Sequence, residues 1–114
     1  MQVKRLRSKI HQVRVTHANR EYRGSITIGK ELARAAKLRE GDAVLVNSID
    51  KGTTWETYII MGKEGEVKMN GAAANHFGIG ERVHIIQYAL YDSTEPYKDN
   101  VVHCDDNNMV DYVC

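Results

Sequence analysis

Ala35-Ala36-Lys37-Leu38-Arg39-Glu40-Gly41-Asp42-Ala43-Val44 is echoed by Ala73-Ala74-Asn75-His76-Phe77-Gly78-Ile79-Gly80-Glu81-Arg82-Val83. Each stretch reads as a short Ala-rich helix, an apolar residue, a Gly followed by an acid, and the start of a strand. The second copy carries one extra residue before its Gly–acid pair. Two copies of strand–helix–turn–strand suggest a pseudo-twofold arrangement. The chain has 114 residues, enough for one domain with its own core. Many short strands and small helices in so compact a chain favour a small β-barrel, because closure removes exposed sheet edges.

The flanking sequence fills in the remaining elements. Ile10, Val13 and Val15 among polar residues predict a strand over 9–16, and His17 to Arg20 a connection. Ser25-Ile26-Thr27-Ile28 is β-branched and strand-like. Gly29 opens a helix that runs from Lys30 with Leu32, Ala35, Ala36 and Leu38 at helical spacing. Strands are expected over Ala43–Ile49, Trp55–Met61, Val67–Met69, Val83–Tyr91 and Val101–His103. Asn70-Gly71 is the strongest turn dipeptide, and a short helix is expected over Ala72–Phe77. The loop from Asp92 to Asn100 holds the only proline, Pro96, and no element is predicted beyond Asp105.

Formal net charge is +1 and the apolar fraction is ordinary, so the totals suggest neither disorder nor a nucleic-acid partner. The first 23 residues are basic and the last 23 acidic, which reads as two solvated ends, a basic wall facing an anion, or ends that pair across an assembly. Cys104 and Cys114 show no metal or redox spacing and read as free thiols in a reducing compartment. Lys4, Arg5, Arg7 and Lys9 interrupt any leader-like apolar run, and no stretch approaches the ~20 apolar residues of a membrane span. These features point to a soluble cytoplasmic protein without a membrane partner.

Chemistry concentrates around Tyr22-Arg23-Gly24-Ser25. Alone, a Gly-Ser pair is an ordinary turn. A Ser hydroxyl can also attack the carbonyl before it, turning the amide into an ester; elimination and hydrolysis then leave a pyruvoyl group. Gly24 would tolerate the strained peptide this needs, and Thr57 or a backbone N–H would hold the oxyanion. Thr57 and Tyr58 face opposite ways on an alternating strand, and a phenol is a neutral proton donor at working pH. Asn70-Gly71-Ala72-Ala73-Ala74 combines N–H groups at a helix start with small side chains that leave room for a ligand. Lys9 and His11 share one strand face, Lys9 as a carboxylate anchor or an ordinary surface Lys, His11 as a core or hydrogen-bonding group. His17, His76, His84 and His103 are scattered, and no metal set is expected.

Together, Lys9-x-His11-x-Val13-x-Val15-Thr16-His17-Ala18, Tyr22-x-Gly24-Ser25, Thr57-Tyr58 and Asn70-Gly71-Ala72-Ala73-Ala74 resemble the pyruvoyl-dependent aspartate 1-decarboxylase family. The resemblance runs from about residue 5 to 110. It implies a mainly β fold, a six-stranded double-psi β-barrel with short helices, as one domain over residues 1–114. It further implies self-cleavage between Gly24 and Ser25 into a β chain, residues 1–24, and an α chain, residues 25–114. The implied activity is conversion of L-aspartate to β-alanine and CO2 for pantothenate synthesis, through a Schiff base to the pyruvoyl made from Ser25. Carried over by residue, Thr57 serves self-processing and Tyr58 reprotonates the product. Lys9, Thr57, Asn70, Gly71, Ala72 and Ala73 bind substrate, with His11, Tyr22 and Thr54 in support. A homotetramer with sites at subunit contacts is implied, and a maturation factor is left open.

One position departs from the family. Its usual Gly-x-Arg-Phe-x-Thr-Tyr reads Gly52-Thr53-Thr54-Trp55-Glu56-Thr57-Tyr58 here, so Thr54 stands where an Arg holds a substrate carboxylate. Thr cannot replace a bidentate Arg contact, and losing one costs about 2–5 kcal/mol. Either another cation moves in, with Lys51 and Arg82 as candidates, or the substrate is a different amino acid. Glu56 is expected to face away from Thr54 or be solvated. A third reading, from another class, is a small barrel used as a binding module, uncut or cut but inactive.

Overall fold

The computed structural model describes residues 1–114. Its strands are β1 (Gln2–Arg14), β2 (His17–Asn19), β3 (Ser25–Gly29), β4 (Ala43–Ser48), β5 (Thr54–Gly62), β6 (Val67–Asn70), β7 (Arg82–Asp92), β8 (Asn100–Cys104) and β9 (Val110–Val113). One α-helix, α1 (Lys30–Ala35), follows β3, and a 3-10 helix over Gly71–Asn75 follows β6.

The sheet order is β2-β6-β3-β5-β4-β7-β1-β8-β9. β1 runs into β2 through Val15 and Thr16, and Thr16 N–H bonds Val67 C=O of β6 at 2.8 Å. β1/β2 therefore closes the ring with β6, β3, β5, β4 and β7: six strands, as expected for the double-psi barrel. Both β3–β5 and β2–β6 run parallel, while β3–β6 and β4–β7 are antiparallel. This pattern has the twofold pseudosymmetry that the sequence echo suggests. β3, α1 and β4 match β6, the 3-10 helix and β7, and β5 matches β1/β2.

The echoed Gly–acid pairs do the same job twice. Gly41 N–H bonds Ile59 C=O at 2.8 Å, and Ile59 N–H bonds Asp42 C=O at 3.0 Å. Gly80 N–H bonds Val15 C=O at 2.7 Å, and Val15 N–H bonds Glu81 C=O at 2.9 Å. Both turns need the left-handed region, with φ of +91° at Gly41 and +87° at Gly80, which Gly enters without steric penalty. Inside the ring, Ile10, Val13, Val15, Ile26, Ile28, Val46, Ile59, Val67, Met69, Val83 and Ile85 are almost fully buried. Leu32, Ala33, Ala36 and Leu38 come from the first helical segment and Phe77 from the second.

Several boundaries differ from those expected. β1 begins at Gln2 because β7 pairs with it from Asp92 down to Arg82. Its bulges, between Leu6 and Ser8 and between Ile10 and Val13, break the alternation that marks a strand. His17–Asn19 is a strand rather than a connection, since β6 supplies a parallel partner. The segment after Asn70 is a 3-10 turn, shorter than the helix expected. Beyond Asp105, β9 pairs with β8, and buried Asn108 ties the tail to the barrel. Its side chain accepts from Arg14 N–H at 2.8 Å and donates to Arg14 C=O and Gly65 C=O at 2.9 and 3.0 Å.

The second bulge of β1 depends on an imidazole. Gln12 has φ of +62°, and its N–H is bonded by His84 Nδ1 at 3.1 Å. Burial first, then Lys9 and His11, push His84 down to about 4. The unfolded chain therefore binds a proton that the fold excludes. This contribution to stability is complete above the ordinary histidine value of 6.5 and is lost as pH falls from there towards 4. Comparing denaturant unfolding of the wild type with His84→Gln across this window isolates the effect. The wild type should lose on the order of 1 kcal/mol more than the variant, allowing for solvent screening at a partly exposed group.

Candidate active site

Ser25 is the first residue of β3 and is fully buried. The antiparallel register of β3 and β6 sets it opposite Asn70, itself buried. Asn70 Nδ2 donates to Ser25 Oγ at 3.0 Å and to Thr27 Oγ1 at 3.1 Å. Ser25 Oγ in turn donates to Arg23 C=O at 3.2 Å. No histidine, lysine or carboxylate bonds this hydroxyl, so no Ser–His hydrolase constellation is built around it.

The residue after Asn70 shapes the approach of the chain. Gly71 has φ of +66°, and a Cβ there would lie 2.6 Å from Gly24 Cα and 3.2 Å from Tyr22 C=O. The Tyr22–Gly24 backbone thus rests on the bare face of Gly71. Gly24 itself does not adopt the left-handed region, and a Cβ added to it would meet nothing within 4 Å. In this fold the position that demands glycine is 71.

β5 runs parallel to β3 with Ile26 level with Ile59, which sets Tyr58 beside Ser25. Arg23 Nε donates to the Tyr58 hydroxyl at 3.0 Å, with the guanidinium 5.9 Å from the ring centroid. Thr57 alternates to the other side of β5, half-buried and level with Val44 of β4. Thr54 Oγ1 donates to Asn47 Oδ1 at 3.1 Å. Glu56 lies two residues from both Thr54 and Tyr58, so the three share a face; the first option expected for Glu56, facing away, is corrected by strand periodicity, and the second, solvation, fits its exposure. Gly71 and Ala73 are buried, whereas Ala72 is exposed.

The two cations considered as substitutes at position 54 are engaged elsewhere. Lys51 Nζ pairs with Glu81 at 3.1 Å and donates to His76 C=O at 2.6 Å, and Arg82 pairs with Asp50 at 2.8 Å. Lys9 and His11 lie on β1, away from the Ser25 group within the chain. His11 stacks on His84 with centroids 4.5 Å apart and lies 5.1 Å from His103. Burial, then Lys9 and His103, hold His11 below its ordinary value. Cys104 is pushed up to about 11 by burial and nearby aspartates, which makes it a poor nucleophile. A depression of about 610 Å³ adjoins the site, lined by Tyr22, Thr27 and Asn70 together with Lys30, Lys63 and Lys68.

The structure thus brings together Tyr22, Gly24, Ser25, Tyr58, Asn70 and Gly71. It leaves Lys9, His11 and Thr54 apart from them in a single chain. Arg23 and Thr27 were missed. Alternation along β3 signals Thr27, two residues from Ser25; Arg23 stood inside the Tyr22–Ser25 stretch and among the basic residues, but no role was read for its side chain.

A closed six-strand barrel carrying a buried serine at a glycine-cushioned bend places the chain among small β-barrels with a polar group held inside the wall. Comparison with known proteins makes this specific. Residues 1–111 match the aspartate decarboxylase family. The aspartate 1-decarboxylase of Sulfurimonas denitrificans is 42% identical, over 99% of this chain and 97% of the relative. That of Campylobacter concisus is 41% identical over 96% and 97%, and that of Helicobacter pylori 44% identical over 92% of each. The chain belongs to the aspartate decarboxylase family, a family of carboxy-lyases.

Two glycine substitutions separate the roles of the neighbours. Gly71→Ala should lose about 1–3 kcal/mol in denaturant unfolding, from the left-handed φ and the clash with Gly24. Gly24→Ala should stay within about 0.5 kcal/mol of the wild type, because its methyl meets nothing.

Proposed function

We propose that this chain is made as a precursor, cuts itself between Gly24 and Ser25, and then decarboxylates L-aspartate to β-alanine and CO2. The observation that carries the reading is the Ser25 hydroxyl, buried and clamped between the Asn70 amide and the Arg23 carbonyl, next to the bond it would attack. The residues present fit a pyruvoyl group: it would replace Ser25 at the head of the residue 25–114 chain, in a space already bounded by Asn70 and Gly71. When formed, such a group offers a carbonyl that condenses with an amine and accepts the electrons of a breaking carbon–carbon bond.

The chain's own residues then divide the work. Asn70 Nδ2 donates to whichever oxygen stands at position 25. Gly71 and Ala73 keep the floor small. Tyr58 holds a proton on its hydroxyl for the carbon that loses CO2. Thr57 faces the opposite side of β5, so a part for it in the cutting step would require a neighbouring copy. Lys9 and His11 share no bond with this group inside one chain, which favours a site completed by a neighbouring copy in a homotetramer. No helix is long and apolar enough to cross a membrane, in keeping with work in the cytoplasm, where β-alanine feeds pantothenate synthesis.

A second reading keeps the chemistry and changes the amino acid. Thr54 bonded to Asn47, with Lys51 and Arg82 both paired, supports it. Intact-mass measurement after warm incubation tests the shared step: two fragments are expected, the larger beginning in a pyruvoyl, and Ser25→Ala should give a single uncut chain. A wild-type protein that keeps its full mass overturns both enzyme readings and favours the binding module. CO2 release across a panel of amino acids then decides the substrate, and aspartate ignored while another is turned over refutes the first reading.

A further inference from the structure

Arg23 is the cation bonded to Tyr58, level with Ser25; Lys30, Lys63 and Lys68 line the adjoining depression beside Thr27 and Asn70. Arg23 Nε is bonded to the Tyr58 hydroxyl, and no carboxylate pairs with its guanidinium. Two of its nitrogens are therefore free donors, forming the planar fork that suits a carboxylate. Thr54 lies four residues from Tyr58 along β5, roughly 13 Å at strand rise, and is occupied by Asn47. A cation for a substrate bound between Ser25 and Tyr58 is thus already in place, on the residue two before Ser25.

We propose that Arg23 is the specificity-determining residue of this site, binding the side-chain carboxylate of an acidic amino acid. This rests on the decarboxylase reading above. The position survives the cut, because residue 23 is held by interactions that do not involve the Gly24–Ser25 bond. Gly71 packs against Gly24 and Tyr22, and Tyr58 receives Arg23 Nε. Only the hydrogen bond from the Ser25 hydroxyl to Arg23 C=O disappears when Ser25 changes. The cut also creates a carboxylate on Gly24, next to Arg23 in sequence. That anion is the competitor for the guanidinium, and the assignment requires substrate to win.

The test uses the cut protein, with cleavage scored by intact mass and activity expressed per cut chain. Arg23→Gln should raise the KM for aspartate roughly 10- to 100-fold, the range for a hydrogen bond to a charged group, with a smaller fall in kcat because Nε also bonds the Tyr58 hydroxyl. Arg23→Lys should recover part of the loss. A second measurement covers variants that fail to cut. In 15N-labelled wild-type protein, the Arg23 Nε–H resonance, assigned by its absence from Arg23→Lys, should shift on adding succinate and stay still with butyrate. A wild type that is not cut, or that is cut and releases no CO2 from aspartate, overturns the decarboxylase reading itself. A wild type that turns over aspartate while Arg23→Gln keeps its KM overturns the assignment of Arg23 alone. So does a resonance unmoved by succinate, the result expected if the Gly24 carboxylate holds the guanidinium.

Discussion

Four backbone hydrogen bonds carry the β4–β5 and β7–β1 pairings of this barrel into its two matching turns. Gly41 and Asp42 trade N–H and C=O with Ile59, and Gly80 and Glu81 do the same with Val15. Each exchange satisfies a buried strand residue that its own ladder leaves unpaired, at a place where an orphaned amide would be costly. Each also needs a residue at positive φ, which is why a glycine precedes the acid in both copies. Without these exchanges, the β4–β5 and β7–β1 pairings would stop one step short, at Tyr58 and Arg14.

The site is a consequence of strand pairing too. Ser25, Tyr58 and Asn70 are far apart in sequence and meet because β3 is paired on both sides. Its parallel partner β5 carries Tyr58, and its antiparallel partner β6 carries Asn70. The same registers put Gly71 under Gly24. A slip of one residue in β6 would turn Asn70 to the opposite face and remove the only side-chain donor to Ser25 Oγ. Precision at the serine is therefore inherited from the barrel as a whole.

Much of this was legible in the chain. The echo from Ala35 and Ala73 announced the pseudo-twofold, and β-branched runs marked β3, β4, β5 and β7. What escaped lay where pairing, rather than pattern, makes the structure. His17–Asn19 is short, polar and exposed, and is a strand only because β6 lies beside it. The first residues of β1 are cationic; Lys4 lies over Tyr88, and Arg7 reaches Gln87, both on β7, so their charge concealed a strand. The tail orders through Asn108, a single side chain whose three bonds no periodicity reveals. In the site, the steric demand for glycine at 71 was not legible, because φ is a property of the folded turn and not of the dipeptide.

The environment of Ser25 also bears on which electrophile it meets. A serine that attacks a substrate arriving from solution must be reachable and must hand its proton to a base. Ser25 is fully buried, and its proton points at a backbone carbonyl. Asn70 supplies a donor to the oxygen but cannot take its proton. The one carbonyl carbon that burial does not exclude is that of the preceding residue, which reaches the serine by covalent connection rather than by diffusion. Proximity of that kind replaces much of the entropy that a bimolecular attack must supply, which is what the proposed self-cleavage would draw on. On the proposed reading, a carbonyl formed in place of this side chain would occupy the same enclosure, opposite Asn70 on one side and level with Tyr58 on the other.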